Sequence, residues 1–343
     1  MRDKDINRIL EKINEINDYS GVVSIKENKN ILLKKAFGLA DISNNIENTI
    51  DTRFGIASGA KLFTAIGICK LIDSKVITFD TLLKDCLDLE LPYFDKGVTI
   101  HHLLTHTSGI PDYFDENTIS NFDELWKKTP MYLLREPKDF IPMFKNSAMM
   151  FSPGEKFHYN NAAFIVLALV IENLTKNRFI EFIKENVLDA LNMVDSGYYS
   201  LDILPKNCAY GYIKNKDGKY KTNIYSIPVI GGGDGGIFVT AEDISKLWDG
   251  LLSFNVLSEE TTKKLLTPHV HVHNDVYYGY GVWIIKREDK ILKYYITGSD
   301  PGVAFMSSFY PDTKIEVTSL SNKEFGPYDI SMFVESIIEN SEK

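Results

Sequence analysis

The chain has 343 residues, of which 44% are hydrophobic and 25% are charged, as in ordinary globular proteins. This length allows about two domains with a substantial core. The formal net charge is −9, and the sequence contains no basic tract. Because nucleic acids and anionic membranes bind clustered Lys and Arg, this composition argues against both as partners.

The N-terminal segment is charged throughout and predicts an amphipathic helix that packs on the fold. Its apolar residues recur at helical spacing: Ile6, Ile9, Leu10, Ile13 and Ile16. A secretory signal requires an uninterrupted apolar core in this place, and the longest apolar run, residues 162–171, is too short to cross a membrane. We therefore expect a cytoplasmic protein that does not enter a membrane.

The elements that follow alternate between strand and helix patterns. Residues 21–25 and 31–38 predict a strand pair, and a helix follows from Ser58. Proline-broken loops then separate predicted helices at residues 122–128, 162–174 and 179–191. After Cys208 the pattern predicts short strands, helices at 241–252 and 258–266, four strands at 277–285, 291–297, 303–310 and 315–320, and a closing helix at 330–339.

These elements predict an α+β fold, in which an antiparallel sheet built from both chain ends is flanked by helices and carries an inserted, mostly helical region. We expect a discontinuous sheet domain of residues 1–78 and 205–343, a helical region of residues 79–204, and an active site where they meet. Cys69, Cys86 and Cys208 are scattered without a C-x-x-C spacing, which argues against a disulfide framework.

The stretch Ser58-Gly59-Ala60-Lys61 offers a nucleophile and a base three residues apart. If a helix begins at Ser58, the two side chains share one face, about 5–6 Å apart at Cβ, and the hydroxyl lies at the positive end of the helix. Apolar neighbours disfavour the ammonium form of Lys61, so a neutral amine could take the serine proton. Considered alone, however, Ser58 would more often be a helix cap.

Two further segments accompany this pattern. Tyr159-Asn160-Asn161 opens a long apolar helix after a Pro-Gly turn, and Thr297-Gly298-Ser299 ends a predicted strand. With Ser58-Gly59-Ala60-Lys61 they resemble, in family order, the three motifs of the serine β-lactamase and penicillin-binding-protein superfamily. The resemblance covers about residues 21–322 and is closest to the class C β-lactamase-like branch, which includes esterases, D-aminopeptidases and DD-carboxypeptidases.

The resemblance implies a cofactor-free serine hydrolase that acts on a small ester or amide. Ser58 would attack a carbonyl and form an acyl-enzyme. Lys61 and Tyr159 would share the proton transfers, and the sequence leaves open which of them is the base. Asn161 would orient Lys61 and hydrogen-bond the acyl side chain of the substrate.

The third motif would supply the substrate-binding strand. By the same resemblance, the backbone N–H groups of Ser58 and Ser299 form an oxyanion hole, with Thr297 beside the substrate. Gly298, which has no side chain, would let this strand come close to the bound substrate.

The chain departs from the family pattern at Ile296, where Lys or His is usual. Losing a charged hydrogen bond costs about 1.5–3 kcal/mol, or roughly 10- to 150-fold in recognition. Lys293 and His158 are possible substitutes, although a strand would point Lys293 to the opposite face. This departure favours an ester or uncharged amide. The alternatives are a β-lactamase or DD-carboxypeptidase/penicillin-binding protein, and a non-catalytic binding or scaffold protein.

Three other patterns resemble binding sites. Residues 231–236 match G-x-G-x-x-G but run into a strand-like stretch with no phosphate-binding Lys, which argues against a dinucleotide site. His269, His271 and His273 alternate and could bind Zn²⁺ or Ni²⁺, although a solvated strand edge is the commoner explanation. His102 and His106 lack the glutamate of H-E-x-x-H, so we expect structural roles for them and predict no metal or cofactor.

Overall fold

The computed structural model describes residues 1–116 and 123–341. Its helices, numbered along the chain, are Asp3–Glu15 (α1), Lys61–Asp73 (α2), Ile100–Leu104 (α3), Asp123–Trp126 (α4), Asn161–Thr175 (α5), Phe179–Ile183 (α6), Ala241–Leu252 (α7), Glu259–Leu265 (α8) and Pro327–Ser341 (α9). Short 3₁₀ segments cover Ala57–Ala60, Leu83–Asp85, Met131–Leu133 and Pro137–Met143, and a π-helical turn covers Lys184–Leu188.

The strands are Gly21–Glu27 (β1), Asn30–Phe37 (β2), Leu39–Asp41 (β3), Ile46–Glu47 (β4), Phe54–Gly55 (β5), Tyr212–Lys214 (β6), Tyr220–Thr222 (β7), Phe238–Val239 (β8), Val270–His273 (β9), Val276–Tyr278 (β10), Trp283–Arg287 (β11), Lys290–Asp300 (β12), Val303–Tyr310 (β13) and Ile315–Ser321 (β14). Eight of them form one antiparallel sheet in the order β2-β1-β14-β13-β12-β11-β10-β9. Because β1 pairs with β14, with Gly21 opposite Ser321, both chain ends build this sheet. The α+β prediction is confirmed.

Side-chain alternation along the strands buries both faces of the sheet. On one face, Val23 and Val317 pack with Ile9 of α1 and Val334 of α9. This contact gives the amphipathic N-terminal helix the packing role that its sequence predicted. On the other face, strand residues such as Ile296 join a larger core with helices α2 and α5.

Helix α5 runs through this larger core and is buried from Asn161 to Ile171. Its first turn is held by two capping side chains. The Asn160 side chain accepts from the Ala163 N–H at 2.7 Å, and Asp112 accepts from the N–H groups of Asn161 and Ala162 at 2.8 and 2.9 Å. Capping satisfies N–H groups that have no partner within the helix, and it fixes Asn161 at the helix entry.

Four predicted elements differ in detail. The helix predicted from Ser58 begins as the 3₁₀ turn Ala57–Ala60 and becomes α-helical at Lys61. The predicted strand 277–285 is two strands, because the Gly279 N–H bonds the Val282 carbonyl at 2.8 Å in a tight turn. Helix 179–191 turns π-helical after Ile183. Helix 122–128 is found at Asp123–Trp126, and residue 122 lies outside the described residues.

All three cysteines are free thiols, and Cys69 and Cys86 are buried. Cys69, on α2, packs as a small apolar residue in the larger core. Within residues 1–116 and 123–341, no helix is both long enough and apolar enough to cross a bilayer.

Candidate active site

A strained backbone presents Ser58 at the edge of the core. β5 pairs with β8, and the chain then enters the 3₁₀ turn through Ala57, whose φ of 46° lies in the left-handed region. Such a conformation is costly for a residue with a side chain and persists only where its surroundings enforce it. Gly59 packs against the Phe305 ring, which a Cβ would approach to 2.6 Å.

Lys61 is the central hydrogen-bonding group of the site. Its side chain is 1% exposed, and its Nζ lies 3.0 Å from Ser58 Oγ, 2.8 Å from Asn161 Oδ1 and 2.8 Å from the backbone oxygen of Asp234. The structure therefore brings together the first motif and the Asn of the second. It also adds Asp234, which the sequence analysis did not select.

The partners of Lys61 suit a neutral amine. The Asn161 and Asp234 oxygens can only accept hydrogen bonds, whereas the Ser58 hydroxyl can also donate. A neutral Lys61 can keep two N–H donations and receive the serine O–H in its lone pair. Burial lowers the pKa of Lys61, opposed by the charges of nearby carboxylates, of which Asp234 is the strongest.

Tyr159 lies against the same two groups. Lys61 Nζ is 4.9 Å from the centre of its ring, and its hydroxyl interacts with Ser58. The ring stacks on Trp283 at 6.0 Å between centroids. Burial, followed by the charge of Glu116, raises the pKa of Tyr159 well above its ordinary value. Burial therefore keeps the Tyr159 phenol protonated.

His106 holds the Tyr159–Asn161 segment through backbone hydrogen bonds and a ring contact. Its Nδ1 accepts from the Asn160 N–H at 3.1 Å, its carbonyl accepts from the His158 N–H at 2.9 Å, and its ring lies 4.3 Å from that of Tyr159. Burial lowers the pKa of His106 far below its ordinary value, so the imidazole is neutral. These contacts agree with the structural role expected from the sequence.

Asn161 is fixed on both sides of its amide. Oδ1 accepts from Lys61, and Nδ2 donates to the Phe114 carbonyl at 3.1 Å and to Glu116 Oε1 at 3.3 Å. The Asn161 amide thus hydrogen-bonds the lysine on one side and residues 114 and 116 on the other. It also connects Lys61 to Glu116, a contact for which the sequence gave no signal.

The third motif reaches the nucleophile through its glycine. A Cβ on Gly298 would lie 2.1 Å from the Ile56 oxygen and 2.8 Å from the Ser58 nitrogen, so only glycine fits where β12 passes Ser58. The Thr297 hydroxyl donates to the Phe305 carbonyl at 2.9 Å, and Ser299 is exposed. The backbone of this strand is therefore placed beside Ser58.

The position of the family cation is apolar. Ile296 is 2% exposed within the larger core. Lys293 points to the opposite face, as predicted, and forms an ion pair with Glu335 of α9. His158 Nε2 lies 3.3 Å from Asp115 Oδ1. Each potential substitute therefore already has an acidic partner.

Carboxylates line the cleft in front of Ser58. Glu116, Asp234 and Asp300 line it together with Ser58 and Asn161, and none of these three acids was predicted from the sequence. The sequence neighbours of two of these acids could have indicated their place in the site: Asp234 lies inside the glycine stretch 231–236, and Asp300 follows the third motif directly. Glu116 has no such neighbours.

The glycine stretch 231–236 forms one wall of this cleft. It is held by Thr64, whose hydroxyl donates to the Gly233 carbonyl at 2.6 Å, and by Lys61 on the Asp234 carbonyl. A Cβ on Gly233 would lie 2.2 Å from the Phe164 carbonyl of α5. The glycines therefore serve close packing around the site.

His269, His271 and His273 lie at or just before β9, the edge strand of the sheet. His269 Nε2 lies 2.8 Å from the Lys264 carbonyl, and His271 Nε2 lies 2.8 Å from the Asn274 carbonyl. No group of three or more potential ligands suited to a metal ion occurs among residues 1–116 and 123–341.

This arrangement of motifs agrees with comparison to known proteins. A family model described as Beta-lactamase matches residues 6–334. The chain belongs to the β-lactamase family. A penicillin-binding protein from Bacillus halodurans has the same fold with a TM-score of 0.92 and 48% identity, covering 97% of this chain and 99% of that one.

Two more distant similarities extend the comparison. Penicillin-binding protein 4* of Bacillus subtilis is 28% identical over 94% of this chain and 72% of its own length. A D-amino acid amidase from Ochrobactrum anthropi superposes with a TM-score of 0.79 over 98% of this chain and 99% of that one, at 18% identity. This last likeness shows the fold alone.

Proposed function

We propose that this β-lactamase-like protein is a cofactor-free serine hydrolase that cleaves small esters or amides through an acyl-Ser58 intermediate. The observation that carries the proposal is the 3.0 Å contact between Ser58 Oγ and the buried Lys61 Nζ. A hydroxyl becomes a nucleophile when an adjacent base takes its proton. The burial of Lys61 favours the neutral, basic form.

Acylation begins when Ser58 Oγ transfers its proton to Lys61 and attacks the substrate carbonyl. The Oγ–C bond forms, the bond to the leaving group breaks, and the leaving group takes a proton that comes from Lys61. Tyr159, a protonated phenol in contact with Ser58, is placed to pass that proton on. Water then attacks the acyl-enzyme and releases the acid and the free Ser58 hydroxyl.

Charge developing on the carbonyl oxygen requires donors at the nucleophile. The backbone N–H groups of Ser58 and Ser299 are assigned to this role, supported by the passage of β12 against Ser58 at Gly298. Removing one preorganised donor of this kind typically lowers the rate about 10²–10³-fold.

Ile296 supports the choice of an ester or amide without an obligatory carboxylate. An apolar, 2% exposed side chain cannot donate to an anion, and Lys293 and His158 are engaged elsewhere. The second candidate is penicillin recognition, favoured by the relatives whose names describe them as penicillin-binding proteins. A third is a family member that binds without turnover.

Intact-protein mass spectrometry after exposure to p-nitrophenyl acetate, a fluorophosphonate and a penicillin separates these candidates. We expect steady p-nitrophenol release, a fluorophosphonate adduct on Ser58, and neither adduct nor hydrolysis with penicillin. Ser58→Ala should lose the adduct and turnover while its melting temperature stays within about 1 °C.

A matched control is Ser74→Ala, which replaces an exposed serine just beyond the other end of α2 and should behave as wild type. A lasting penicilloyl adduct or penicillin hydrolysis would support the second candidate. Absence of any adduct would support the non-catalytic one. Turnover retained in Ser58→Ala would refute Ser58 as the nucleophile.

A further inference from the structure

The direction in which Lys61 presents its lone pair depends on the two oxygens that accept its N–H groups. Lys61 Nζ donates to Asn161 Oδ1 and to the Asp234 carbonyl, each at 2.8 Å. A neutral amine has two N–H bonds and one lone pair, so fixing both N–H bonds leaves the lone pair for the Ser58 hydroxyl, 3.0 Å away. Lysine has a flexible four-carbon stem, and the orientation of the base therefore depends on what holds these two oxygens in place.

Asp112 holds the first oxygen by fixing the residue that carries it. Its Oδ2 accepts from the Asn161 N–H at 2.8 Å, and its Oδ1 accepts from the Ala162 N–H at 2.9 Å. Hydrogen bonds to an ionised carboxylate are roughly twice as strong as neutral ones. These bonds set the position of the backbone from which the Asn161 side chain reaches Lys61.

Tyr113, the next residue, holds the second oxygen. Its hydroxyl donates to Asp234 Oδ2, and burial raises the pKa of Tyr113 well above its ordinary value, so that hydroxyl keeps its proton. The Tyr113 ring packs on Phe140 at 5.2 Å between centroids, which restricts where the hydroxyl can point. Because the carboxylate and the carbonyl belong to one residue, anchoring the Asp234 side chain restrains the carbonyl that accepts from Lys61.

The segment that carries these two residues is itself tied to the start of α5. The Ile110 carbonyl accepts from Asn160 Nδ2 at 2.7 Å, and the Phe114 carbonyl accepts from Asn161 Nδ2 at 3.1 Å. A shift of the segment would break these bonds. Its two consecutive side chains thus reach both elements that supply an acceptor to the lysine, α5 and the glycine stretch 231–236.

We propose that Asp112 and Tyr113 are positioning residues that together hold the two acceptors of Lys61 and so direct its lone pair to the Ser58 hydroxyl. The proposal rests on the function proposed above, since it concerns how the base of that reaction is oriented. Neither residue takes part in a covalent step: the serine proton passes to Lys61 as before.

The rate of single-turnover acylation by p-nitrophenyl acetate at pH 8 tests the proposal. Burial raises the pKa of Asp112 to about 7, so its carboxylate is ionised at this pH. Asp112→Asn replaces one acceptor of a helix N–H with a donor, and Tyr113→Phe removes only the hydroxyl. We expect each variant to lower the maximal acylation rate about 10- to 100-fold with little change in the half-saturating substrate concentration, because misplacing a catalytic group costs rate. Unchanged acylation in both folded variants would overturn the proposal.

A Lys61→Met background separates positioning from a general loss of structure. If both residues act through Lys61, neither Asp112→Asn nor Tyr113→Phe should lower the residual acylation rate of Lys61→Met protein by more than about 2-fold. A further loss of about 10-fold or more in that background would show that the two residues act elsewhere, and would refute the proposal.

The chain offers a matched control for each substitution. Asp73 holds the start of α8 by accepting from the Ser258 N–H at 2.8 Å, and Tyr220 donates its hydroxyl to Asp18. Asp73→Asn and Tyr220→Phe should therefore acylate at the wild-type rate. Circular dichroism melting checks that every variant folds. Controls that lose as much rate as the two test variants would contradict a role specific to Lys61.

Crystal structures of the two test variants in Ser58→Ala protein give a readout that needs no turnover. We expect the acceptor tied to each replaced residue to move beyond hydrogen-bonding distance of Lys61 Nζ. The acceptors are Asn161 Oδ1 for Asp112→Asn and the Asp234 carbonyl for Tyr113→Phe.

These structures separate the inference from the proposed function. Displaced acceptors in a protein whose wild type shows no Ser58-dependent turnover would refute the proposed hydrolase but keep the positioning role. Ser58-dependent turnover together with both acceptors still in place in the variants would refute the positioning role alone.

Discussion

Two buried lysines, one in the scaffold and one in the cleft, have different partners. Lys61 is 1% exposed and Lys293 is 3% exposed. Lys293, between the sheet and α9, forms an ion pair with Glu335. Within residues 1–116 and 123–341, the hydrogen bonds of Lys61 Nζ go to a hydroxyl, an amide oxygen and a backbone carbonyl.

The difference lies in which protonation state the surroundings support. Lys293 has a carboxylate in direct contact, whereas burial lowers the pKa of Lys61 against the opposing charges of nearby carboxylates, of which Asp234 is the strongest. Charge in the scaffold is therefore balanced for stability. In the cleft the carboxylate of Asp300 has no hydrogen-bonding partner among residues 1–116 and 123–341, and in the proposed mechanism Lys61 takes the serine proton.

Lys61→Met tests the cleft side of the comparison and should have the largest effect. Methionine keeps the apolar stem but cannot accept a proton, so we expect kcat/KM for p-nitrophenyl acetate to fall roughly 10²–10⁴-fold, the usual contribution of a general base. The protein should still fold, as measured by circular dichroism. Wild-type turnover in this variant would remove Lys61 from the mechanism.

Lys293→Met tests whether the buried ion pair with Glu335 stabilises the scaffold. Removing one partner of a buried ion pair leaves Glu335 uncompensated, which costs about 3–5 kcal/mol in the free energy of unfolding. Urea denaturation should show this loss, and Lys293→Met combined with Glu335→Gln should recover much of it. The activity of the folded fraction should remain near wild type. A loss of activity without a loss of stability would show that Lys293 acts on the site.

Ile296→Lys places a cation where the family usually has one. We expect preference for carboxylate-bearing over neutral substrates to rise by roughly 10-fold, the lower end for a charged hydrogen bond. The melting temperature should fall, because Ile296 is a core residue. Ile296→Met controls for the packing change and should not alter the preference. An unchanged preference in Ile296→Lys would mean that this position does not face the substrate.

Asp300→Asn should have the smallest effect, a rise in stability. Burial, together with the charge of Asp234, raises the pKa of Asp300 to about 7, while Lys61 opposes and Glu116 adds to the rise. The folded state then holds this proton more tightly than the unfolded chain, so stability falls as pH rises from about 4 to about 7.

Asparagine cannot ionise, so the variant avoids the loss of stability that the charged Asp300 carboxylate causes above about pH 7. We expect the melting temperature of Asp300→Asn to exceed wild type by a few degrees at pH 8 and to match it near pH 4. Differential scanning calorimetry at both pH values measures this. A variant that is less stable than wild type at pH 8 would indicate that Asp300 has a stabilising partner in the fold.

The sequence predicted the parts of this molecule that depend on local pattern. Residues 241–252 form a helix over those same limits, because apolar spacing and the Thr240 cap are both local signals. The Ser58–Lys61 pair was predicted correctly as neighbours, since three residues of helical chain bring two side chains together in either the 3₁₀ or the α form.

The acidic character of the cleft was not predicted, because it depends on contacts between distant segments. Glu116, Asp234 and Asp300 come from three separate loops or strand ends, and no periodicity connects them. The break within residues 277–285 was also missed. There Gly279 and Gly281 turn the chain where a Cβ would meet the Leu265 carbonyl at 2.6 Å and the Lys61 carbonyl at 2.8 Å.

The pH dependence of Ser58 acylation, followed as the first turnover of p-nitrophenyl acetate, tests the central claim that a buried, uncharged Lys61 activates this serine. The rate should rise with pH through a pKa below the ordinary lysine value of 10.5, and this rise should disappear in Lys61→Met. A rate that does not change between about pH 5 and 9, or a rise that persists in Lys61→Met, would contradict the account.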